Sequence, residues 1–533
     1  MKNWLLAVVS GILLALGWPT YGFPGLLFIA FVPLLWAEYN YRTKVSKPRK
    51  SVVLALGYTS FFTWNLIATY WLYFSTVFGM VFAVLVNSLL MALVFVLYHV
   101  VAKRSNFRTS TIFLVSLWLV FERLHLEWEF AWPWLNLGNA FSEYTGWIQW
   151  YEYTGASGGA LWVWIINVVI FYEVLAFQKG TKRNYFPAIL KAGLLILIPI
   201  GVSQFVLQRY LHGEDTIDVV VLQPNINPYT EKYTTTNKRI GDLLFSLAAE
   251  EIDQGTDLLV APETVYAEGF GIDLDRFEFS AEKRRAKNFL SAHPKLNYIA
   301  GVQFYRKHST EKTILPTSNY VRENLWVDTY NSAFLLNNQR IETPVYHKSK
   351  LVVGVENLPY QSVLKPILGD VMLDLGGTVM MKTTQEDREI FSLTNGVAVA
   401  PIICYESVFG DYLAGYVRNG AQVLAIITND AWWGNTQGHK QHLSYARLRA
   451  IETRRSVVRS ANTGISALID ETGKITTSLG YEQQGTLKGK VTYNDKETLY
   501  VTLGDYIPRI ARFLALFLFL FTMIKQKHTM KRK

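Results

Sequence analysis

Cysteine is all but absent from this chain of 533 residues; the one example, Cys404, stands in Pro401-Ile-Ile-Cys-Tyr-Glu-Ser407. A solitary thiol excludes an intrachain disulfide and leaves two readings, inert packing or a reagent. Internal repeats, low-complexity tracts and a P-loop are missing as well. Gly434-Asn-Thr-Gln-Gly438 lacks the Lys-Ser/Thr that a phosphate cradle needs. His439 and His442 have no Asp, Glu or Cys beside them at ligand spacing, so they read as surface histidines and no metal site is expected. The net charge of +10 comes without any nucleic-acid-binding motif, so no nucleic-acid partner is expected. Five basic residues fall in Arg42-Thr-Lys-Val-Ser-Lys-Pro-Arg-Lys50 and five more in residues 525–533, each beside an apolar run. That is the distribution the positive-inside rule produces.

What the chain has in abundance is apolar sequence. Half of its residues are hydrophobic, and the excess lies before residue 205 and after residue 508. A bilayer-crossing helix needs about 20 such residues, or as few as about 17. Eight candidate spans follow, at 4–21, 25–36, 52–74, 77–101, 111–121, 159–177, 188–206 and 510–524; the second and fifth are short as strictly apolar runs. The run after Lys2 resembles a signal peptide, but no small-residue cleavage site follows it.

Eight spans place both termini on one side. The loops on that side carry the basic stretch 39–50, then Lys103, Arg104 and Arg108, then Lys179, Lys182 and Arg183, then the C-terminal tail. The other side has an uncharged link near Ser75 and a loop over 122–158 whose charges are mostly acidic. The termini are therefore expected in the cytoplasm and the polar region 207–508 outside it. Three domains follow: an N-terminal membrane domain (1–206), an extracytoplasmic domain (207–505), and a C-terminal span with a basic tail (506–533). Outside the cytoplasm cysteines are usually paired or dispensed with, which favours the reagent reading of Cys404. Trp128, Trp132, Trp134, Trp147 and Trp150, with Trp162 and Trp164 beyond, read as an interfacial aromatic belt or a lipid-docking surface.

From residue 217 the pattern becomes short β-rich runs separated by helical segments. Strand-like runs occur at 217–222, 258–261, 298–302, 332–336, 397–400, 423–427, 456–460 and 465–469. Their near-continuous apolar character implies strands covered on both faces. Residues 238–252 and 439–453 carry apolar positions at helical spacing, among them Leu443, Ala446 and Ala450. Arg447, Arg449, Arg454 and Arg455 read as helix-face ion pairs.

Three segments set an ionisable residue at or just past the end of a strand, where α/β sheets keep their sites. They are Val260-Ala-Pro-Glu263-Thr264, Tyr346-His-Lys348-Ser-Lys350 with Glu356 eight residues beyond Lys348, and Ile403-Cys404-Tyr405-Glu406. A free thiol is only partly ionised near neutrality and needs a base beside it. Glu263 is a candidate base and a nearby lysine a candidate oxyanion donor. Taken singly, each also fits a bland role: a buried small thiol, a cap, a surface ion pair.

Together these segments resemble, in order, the Glu-Lys-Cys triad of the nitrilase, or carbon–nitrogen hydrolase, superfamily. Thr428-Asn-Asp-Ala-Trp-Trp-Gly434 is similar to the stretch that follows the cysteine in that superfamily. A domain of this kind between seven leading spans and one trailing span resembles its membrane-embedded branch, the bacterial apolipoprotein N-acyltransferases. Pro133-Trp134-Leu-Asn-Leu-Gly-Asn139 and Ala461-Asn-Thr-Gly464 are similar to further segments of that branch. The resemblance implies a multi-pass helical membrane domain joined to an αββα sandwich, in the bacterial inner membrane with the sandwich facing the periplasm. It also implies two-step acyl transfer without a cofactor. Cys404 would take an acyl chain from a phospholipid, typically phosphatidylethanolamine, as a thioester, and pass it to the α-amine of a diacylglyceryl-cysteine apolipoprotein. Glu263 would be general base and acid, Lys348 the oxyanion support and Glu356 a positioning group, with Tyr405 and Glu406 shaping the pocket. Trp432 and Trp433 read as packing near the cysteine, within reach of an acyl chain. Residues 229–233 and 356–360 are candidate mobile loops, and nothing implies more than a monomer.

Two positions depart from the family pattern. Tyr233 stands where a tryptophan is common, and Gly354-Val355 precedes Glu356 where the family shows Pro-Phe-Gly. A membrane-tethered amidase using the same triad with water as acceptor, and a non-catalytic assembly protein with a vestigial triad, are the alternatives.

Overall fold

The computed structural model describes residues 1–178, 186–309, 314–363 and 380–530. The expected basic positions Lys179, Lys182 and Arg183 lie outside them. The chain forms two compact units. One comprises Met1–Tyr73, Val77–Arg209 and the residues from Leu503 onward; the other comprises Phe74–Thr76 and Tyr210–Thr502.

The first unit is helical. By length and composition, six helices among its described residues can cross a membrane: Lys50–Phe74, Val77–Ala102, Phe107–Glu127, Ala156–Gln178, Phe186–Arg209 and Tyr506–Ile524. Helices also occur at the two remaining expected places. Lys2–Leu16 is 15 residues long, and the next is broken at Phe31 into Leu27–Ala30 and Val32–Lys44. Pro33 near the start of Val32–Lys44 marks the break, since proline fits only a first helical turn. The outward faces are apolar to a degree that water does not tolerate: Ile189, Leu190, Leu194, Leu197, Ile198 and Phe205 on one helix are all exposed. Polar groups turn inward and pair. Glu38 accepts from Arg42 at 2.8 Å and faces His99 Nδ1 at 2.6 Å, and Asn87 donates to Asn65 at 2.7 Å. Satisfying such groups internally is the condition for keeping them in an apolar solvent.

The tryptophans of the expected belt differ in burial. Trp4 is the only exposed one among the described residues; Trp134, Trp162 and Trp164 are buried. Trp132 stacks on Trp134 with ring centres 5.9 Å apart, Trp134 meets Trp71 at 4.8 Å, and Trp164 stacks on Phe31 at 4.1 Å. Trp128, Trp132, Trp147 and Trp150 are half-buried.

Among the described residues the second unit has fourteen strands in two sheets. β1 (Thr216–Gln223), β2 (Leu258–Val260), β4 (Asn297–His308), β5 (Asn319–Arg322), β6 (Leu325–Leu336) and β14 (Gly485–Thr492) make the first, in the order β14-β1-β2-β4-β6-β5. β3 (Ile272–Asp273) adds to β4, and β7 (Val345–His347) to β6. The second sheet runs β13-β12-β11-β10-β9-β8, from β8 (Phe391–Ser392), β9 (Ala398–Ile403), β10 (Val423–Thr428), β11 (Ser456–Ala461), β12 (Ser466–Ile469) and β13 (Ile475–Leu479). β1, β2 and β4 are parallel neighbours, as are β9, β10 and β11. Every residue of β10 and β11 is buried, as strands covered on both faces require.

The sheets pack on each other, β1 against β11 and β6 against β9. Helix Asn237–Glu251, capped by the Thr236 side chain, covers β1 and β14, with Ala281–Leu290 beside it. Gly410–Arg418 and Gln437–Thr453 cover the second sheet. The unit is thus an αββα sandwich. Gln437–Thr453 is buried nearly all round, which corrects two expectations. His439 and His442 are fully buried, not surface residues. Arg449 does pair with Glu452, at 2.9 Å. Arg455, however, is buried and donates to the carbonyls of Ala421 and Lys496, with burial pulling its pKa down to about 10.

Candidate active site

Three turns at strand ends bring the expected residues together. β2 ends at Val260 and the chain turns through Pro262 and Glu263 into Thr264, whose φ of 47° is left-handed. Gly301 of β4 lies directly beneath: a Cβ there would sit 2.4 Å from the Thr264 nitrogen and 2.6 Å from the Glu263 Cα. Only glycine lets that turn lie flat on the sheet. β7 leads straight into Lys348, whose backbone N–H donates to the Asn331 carbonyl of β6 at 2.8 Å. In the facing sheet, β9 ends at Ile403 and Cys404 opens the 3-10 turn Cys404–Val408 with φ 52°. A branch-free side chain in that strained conformation costs about 1–3 kcal/mol, which the surroundings must supply.

The charged groups form one network. Lys348 Nζ lies 3.1 Å from Glu263 Oε1 and 2.9 Å from Glu356 Oε2. The Asn331 amide donates to Glu263 at 2.7 Å and to Glu356 at 2.9 Å, tying both carboxylates to β6. Glu263 Oε2 accepts from the backbone N–H of Asn429, just after β10. Glu356 accepts a further bond from Val352 N at 2.8 Å. Thus the Gly354-Val355 departure leaves Glu356 joined to Lys348.

Burial works against the charge on Lys348, but Glu263 and Glu356 outweigh it and hold its pKa well above the ordinary lysine range. Burial likewise disfavours the Glu356 carboxylate, and Lys348 with its hydrogen-bond donors more than offsets that, so its pKa falls. Cys404 is 7% exposed. Burial, and then the Glu263 charge, push its thiol far above the usual range, with Lys348 acting in the opposite direction.

Glu406 is fully buried, and its role is to hold backbone. It accepts from Ser349 N at 2.7 Å, Ile403 N at 2.8 Å and the Tyr346 hydroxyl at 2.6 Å. One carboxylate thereby fastens the segment after Lys348 to the strand end before Cys404. Tyr405 is buried edge-on to Phe409. Trp432 meets Tyr229 edge-on at 5.1 Å, and the Tyr229 hydroxyl donates to the Trp432 carbonyl at 3.3 Å. Tyr233 is 44% exposed and stays apart from the charged network, joined to Trp432 only through Lys232, whose Nζ lies over both rings.

Other members of the site escape a reading of the sequence. Asn331 lies in the mixed part of β6, beside Thr329 and Ser332 and before the apolar run that marks the strand. Behind the cysteine, His442 Nε2 stands 3.2 Å from the Cys404 carbonyl and 2.9 Å from Ser407 Oγ. His442 Nδ1 faces Asp430 Oδ1 at 3.0 Å, and Arg459 donates to Asp430 Oδ2 at 2.6 Å. Burial alone would raise the Asp430 pKa; Arg459 and His442 reverse this and hold it well below the carboxylate range. Asp430 within the stretch after Cys404 was the one available signal.

Family comparison defines the class. Residues 218–499 match the carbon-nitrogen hydrolase model, and residues 10–169 match the apolipoprotein N-acyltransferase N-terminal domain model. The chain belongs to the carbon–nitrogen hydrolase family. Within it, relatives along the full length narrow the membership to the membrane-embedded apolipoprotein N-acyltransferase branch. The apolipoprotein N-acyltransferase of Chlorobaculum tepidum is 26% identical, with 99% of this chain and 97% of that protein aligned. That of Thermotoga maritima is 26% identical over 96% of this chain and 92% of its own. Among solved structures, Saccharomyces cerevisiae Nit3, a nitrilase-superfamily member, aligns with 54% of this chain and 93% of its own at 14% identity and a TM-score of 0.36.

Proposed function

We propose that this bacterial membrane protein transfers a fatty acyl chain from a membrane phospholipid to the α-amine of a diacylglyceryl-cysteine at an apolipoprotein's N-terminus, in two steps through a Cys404 thioester. The observation that carries the reading is the buried Lys348 held between Glu263 and Glu356 in the same unit as a solitary, conformationally strained thiol. In the first step Glu263 takes the thiol proton as sulfur attacks the ester carbonyl. Lys348 offsets the developing oxyanion; losing one such donor costs about 3–4 kcal/mol. The intermediate collapses, Glu263 returns the proton to the departing glycerol oxygen, and a lysophospholipid leaves. In the second step the acceptor amine attacks the thioester, and its proton passes through Glu263 back to sulfur. A thiol that ionises only as it attacks suits a site that must resist stray electrophiles between turnovers.

Both substrates carry lipid chains, and drawing them into water costs about 0.8 kcal/mol per methylene. The helices that can cross a membrane support a site at the headgroup plane, on the periplasmic side, with both termini cytoplasmic. Phosphatidylethanolamine is the proposed donor. Incubation with phospholipid tests the reading: intact-mass analysis is expected to show an acyl adduct that hydroxylamine removes, and none in Cys404→Ser. No adduct on the wild type would favour a membrane-tethered amidase. Lipoprotein acylation surviving in a Cys404→Ala strain would leave the triad vestigial.

A further inference from the structure

Lys348 and Lys382 share the surroundings of Glu263 and Glu356, Lys232 lies within electrostatic reach of Lys382, and among the described residues only Lys348 of the three is ion-paired. Lys348 takes both carboxylates. Lys382 is held beside Glu356 by its backbone N–H, which donates to the Glu356 carbonyl at 2.9 Å. Its Nζ, however, donates to a neutral group, Gln303 Oε1, at 3.0 Å. Gln303 is itself buried and fixed, its amide donating to Phe270 O at 2.9 Å. Lys232 is 9% exposed, and its Nζ lies 5.5 Å from the Tyr233 ring centre and 5.4 Å from that of Trp432. Among the described residues neither Lys232 nor Lys382 has a carboxylate at ion-pair distance.

Sheltering an ammonium without a counter-charge is costly, and a protein that keeps two has a use for them. Burial pulls the Lys382 pKa down to about 8; Glu356 works against that, and Lys232 and Lys348 add to it. Two carboxylates against three ammonium groups leave one positive charge over, which one monoanion would neutralise.

We infer that Lys382 and Lys232 form the subsite for the phosphodiester of the acyl donor. The inference rests on the proposed function. In a glycerophospholipid the phosphodiester is tied to the reacting ester through the glycerol carbons alone, so it must lie beside the triad whenever the ester carbonyl reaches Cys404. The acceptor, a diacylglyceryl thioether, has no phosphate. The two lysines therefore select the donor. Gln303 orients Lys382, and Tyr233 and Trp432 keep the Lys232 ammonium partly dry, where its field is strongest.

The test measures thioester formation on Cys404 from mixed micelles of dipalmitoyl phosphatidylethanolamine and, separately, of dipalmitoylglycerol, which has the same chains and no phosphate. In the wild type the phospholipid is expected to react faster. Lys382→Met and Lys232→Met are each expected to cut the phospholipid-to-diacylglycerol rate ratio about tenfold or more, as loss of a charge-assisted contact does. Lys382→Arg is expected to keep most of the preference. A ratio unchanged in both Met variants, or lost equally in the Arg variant, overturns the assignment. Glycerophosphoethanolamine, the same phosphodiester without chains, is expected to compete with the phospholipid in the wild type and less in Lys382→Met. Equal competition in the two would place phosphate recognition elsewhere and likewise overturn it. A wild type that forms no thioester from either donor fails the underlying acyltransferase reading and takes this one with it.

Discussion

His442 Nε2 stands 3.2 Å from the backbone carbonyl of Cys404, although the two residues are 38 apart in sequence. The carbonyl also accepts from Ser407 Oγ at 2.8 Å. The left-handed backbone at Cys404 is thus held through its carbonyl. His442 is a positioning residue, and replacing it should act on the geometry of attack. His442→Ala is expected to slow single-turnover acylation by roughly a hundredfold, the scale of a 1 Å misplacement, with little change in the donor concentration for half-saturation. His442→Gln, which retains a donor, should recover part of the rate. A fall in apparent donor affinity at constant maximal rate would contradict this.

Asp430 holds His442 from the other side, and its depressed pKa has a consequence for stability. A carboxyl more acidic in the folded than in the unfolded chain stabilises above its unfolded pKa, near 4, and loses that contribution as pH falls further. The detergent-solubilised protein should therefore lose melting temperature between pH 6 and about 3 partly through this group. In Asp430→Asn the melting temperature should be lower near neutrality and fall less steeply with acid. Parallel curves for the two proteins would show that Asp430 contributes nothing of the kind.

The raised pKa of Cys404 gives a profile that a single-cysteine chain reports cleanly. Burial and the Glu263 charge both disfavour the thiolate. Alkylation by iodoacetamide, followed by intact mass, should keep accelerating beyond the ordinary cysteine value of about 8.5 without levelling off there. Removing the cation in Lys348→Met should slow it further at every pH. A plateau near or below the ordinary value would mean a thiolate already formed.

Glu406 faces donors with both oxygens, so exchanging one for an amide sets N–H against N–H. Glu406→Gln is expected to cost about 1–3 kcal/mol through unsatisfied backbone groups. It should also reduce acylation, because the segment after Lys348 is freed. Calorimetry and the thioester assay check the two together; a fully stable but inactive variant would instead point to direct contact with substrate.

Gly301→Ala puts a methyl group against backbone atoms that cannot rotate away. Melting temperature should fall and the Glu263 turn lift from the sheet, so acylation should fall with it. Unaltered activity would mean that the turn tolerates displacement.

Much of this was legible in advance. The strand runs at 217–222, 258–261 and 423–427 are strands in place, and the ends of β2 and β7 bring Glu263 and Lys348 into one network with Cys404, at the end of β9, within electrostatic reach, because apolar runs buried on both faces leave their chemistry to the ends. Glu356 kept its relation to Lys348 through spacing alone. What stayed hidden were polar residues inside buried elements. Asn331 lies just before the apolar run that marks the strand, and His442 reads as a surface residue until its helix proves buried nearly all round. Sequence periodicity reports which face is apolar; it is silent where no face meets water. Lys232 and Lys382 were silent for a different reason, since an isolated lysine in a polar stretch carries no pattern.

Glu263 follows a strand of one sheet yet takes a hydrogen bond from Asn429, which follows a strand of the other. On the proposed mechanism the reaction centre is therefore a seam, and neither half possesses it. A fragment stopping before β8 would retain base and ammonium with nothing to acylate, and its complement would retain sulfur with nothing to deprotonate it. On that mechanism, reactivity would switch on only after both halves have closed, which would spare a nascent chain threading through a lipid-rich surface from acylating itself prematurely.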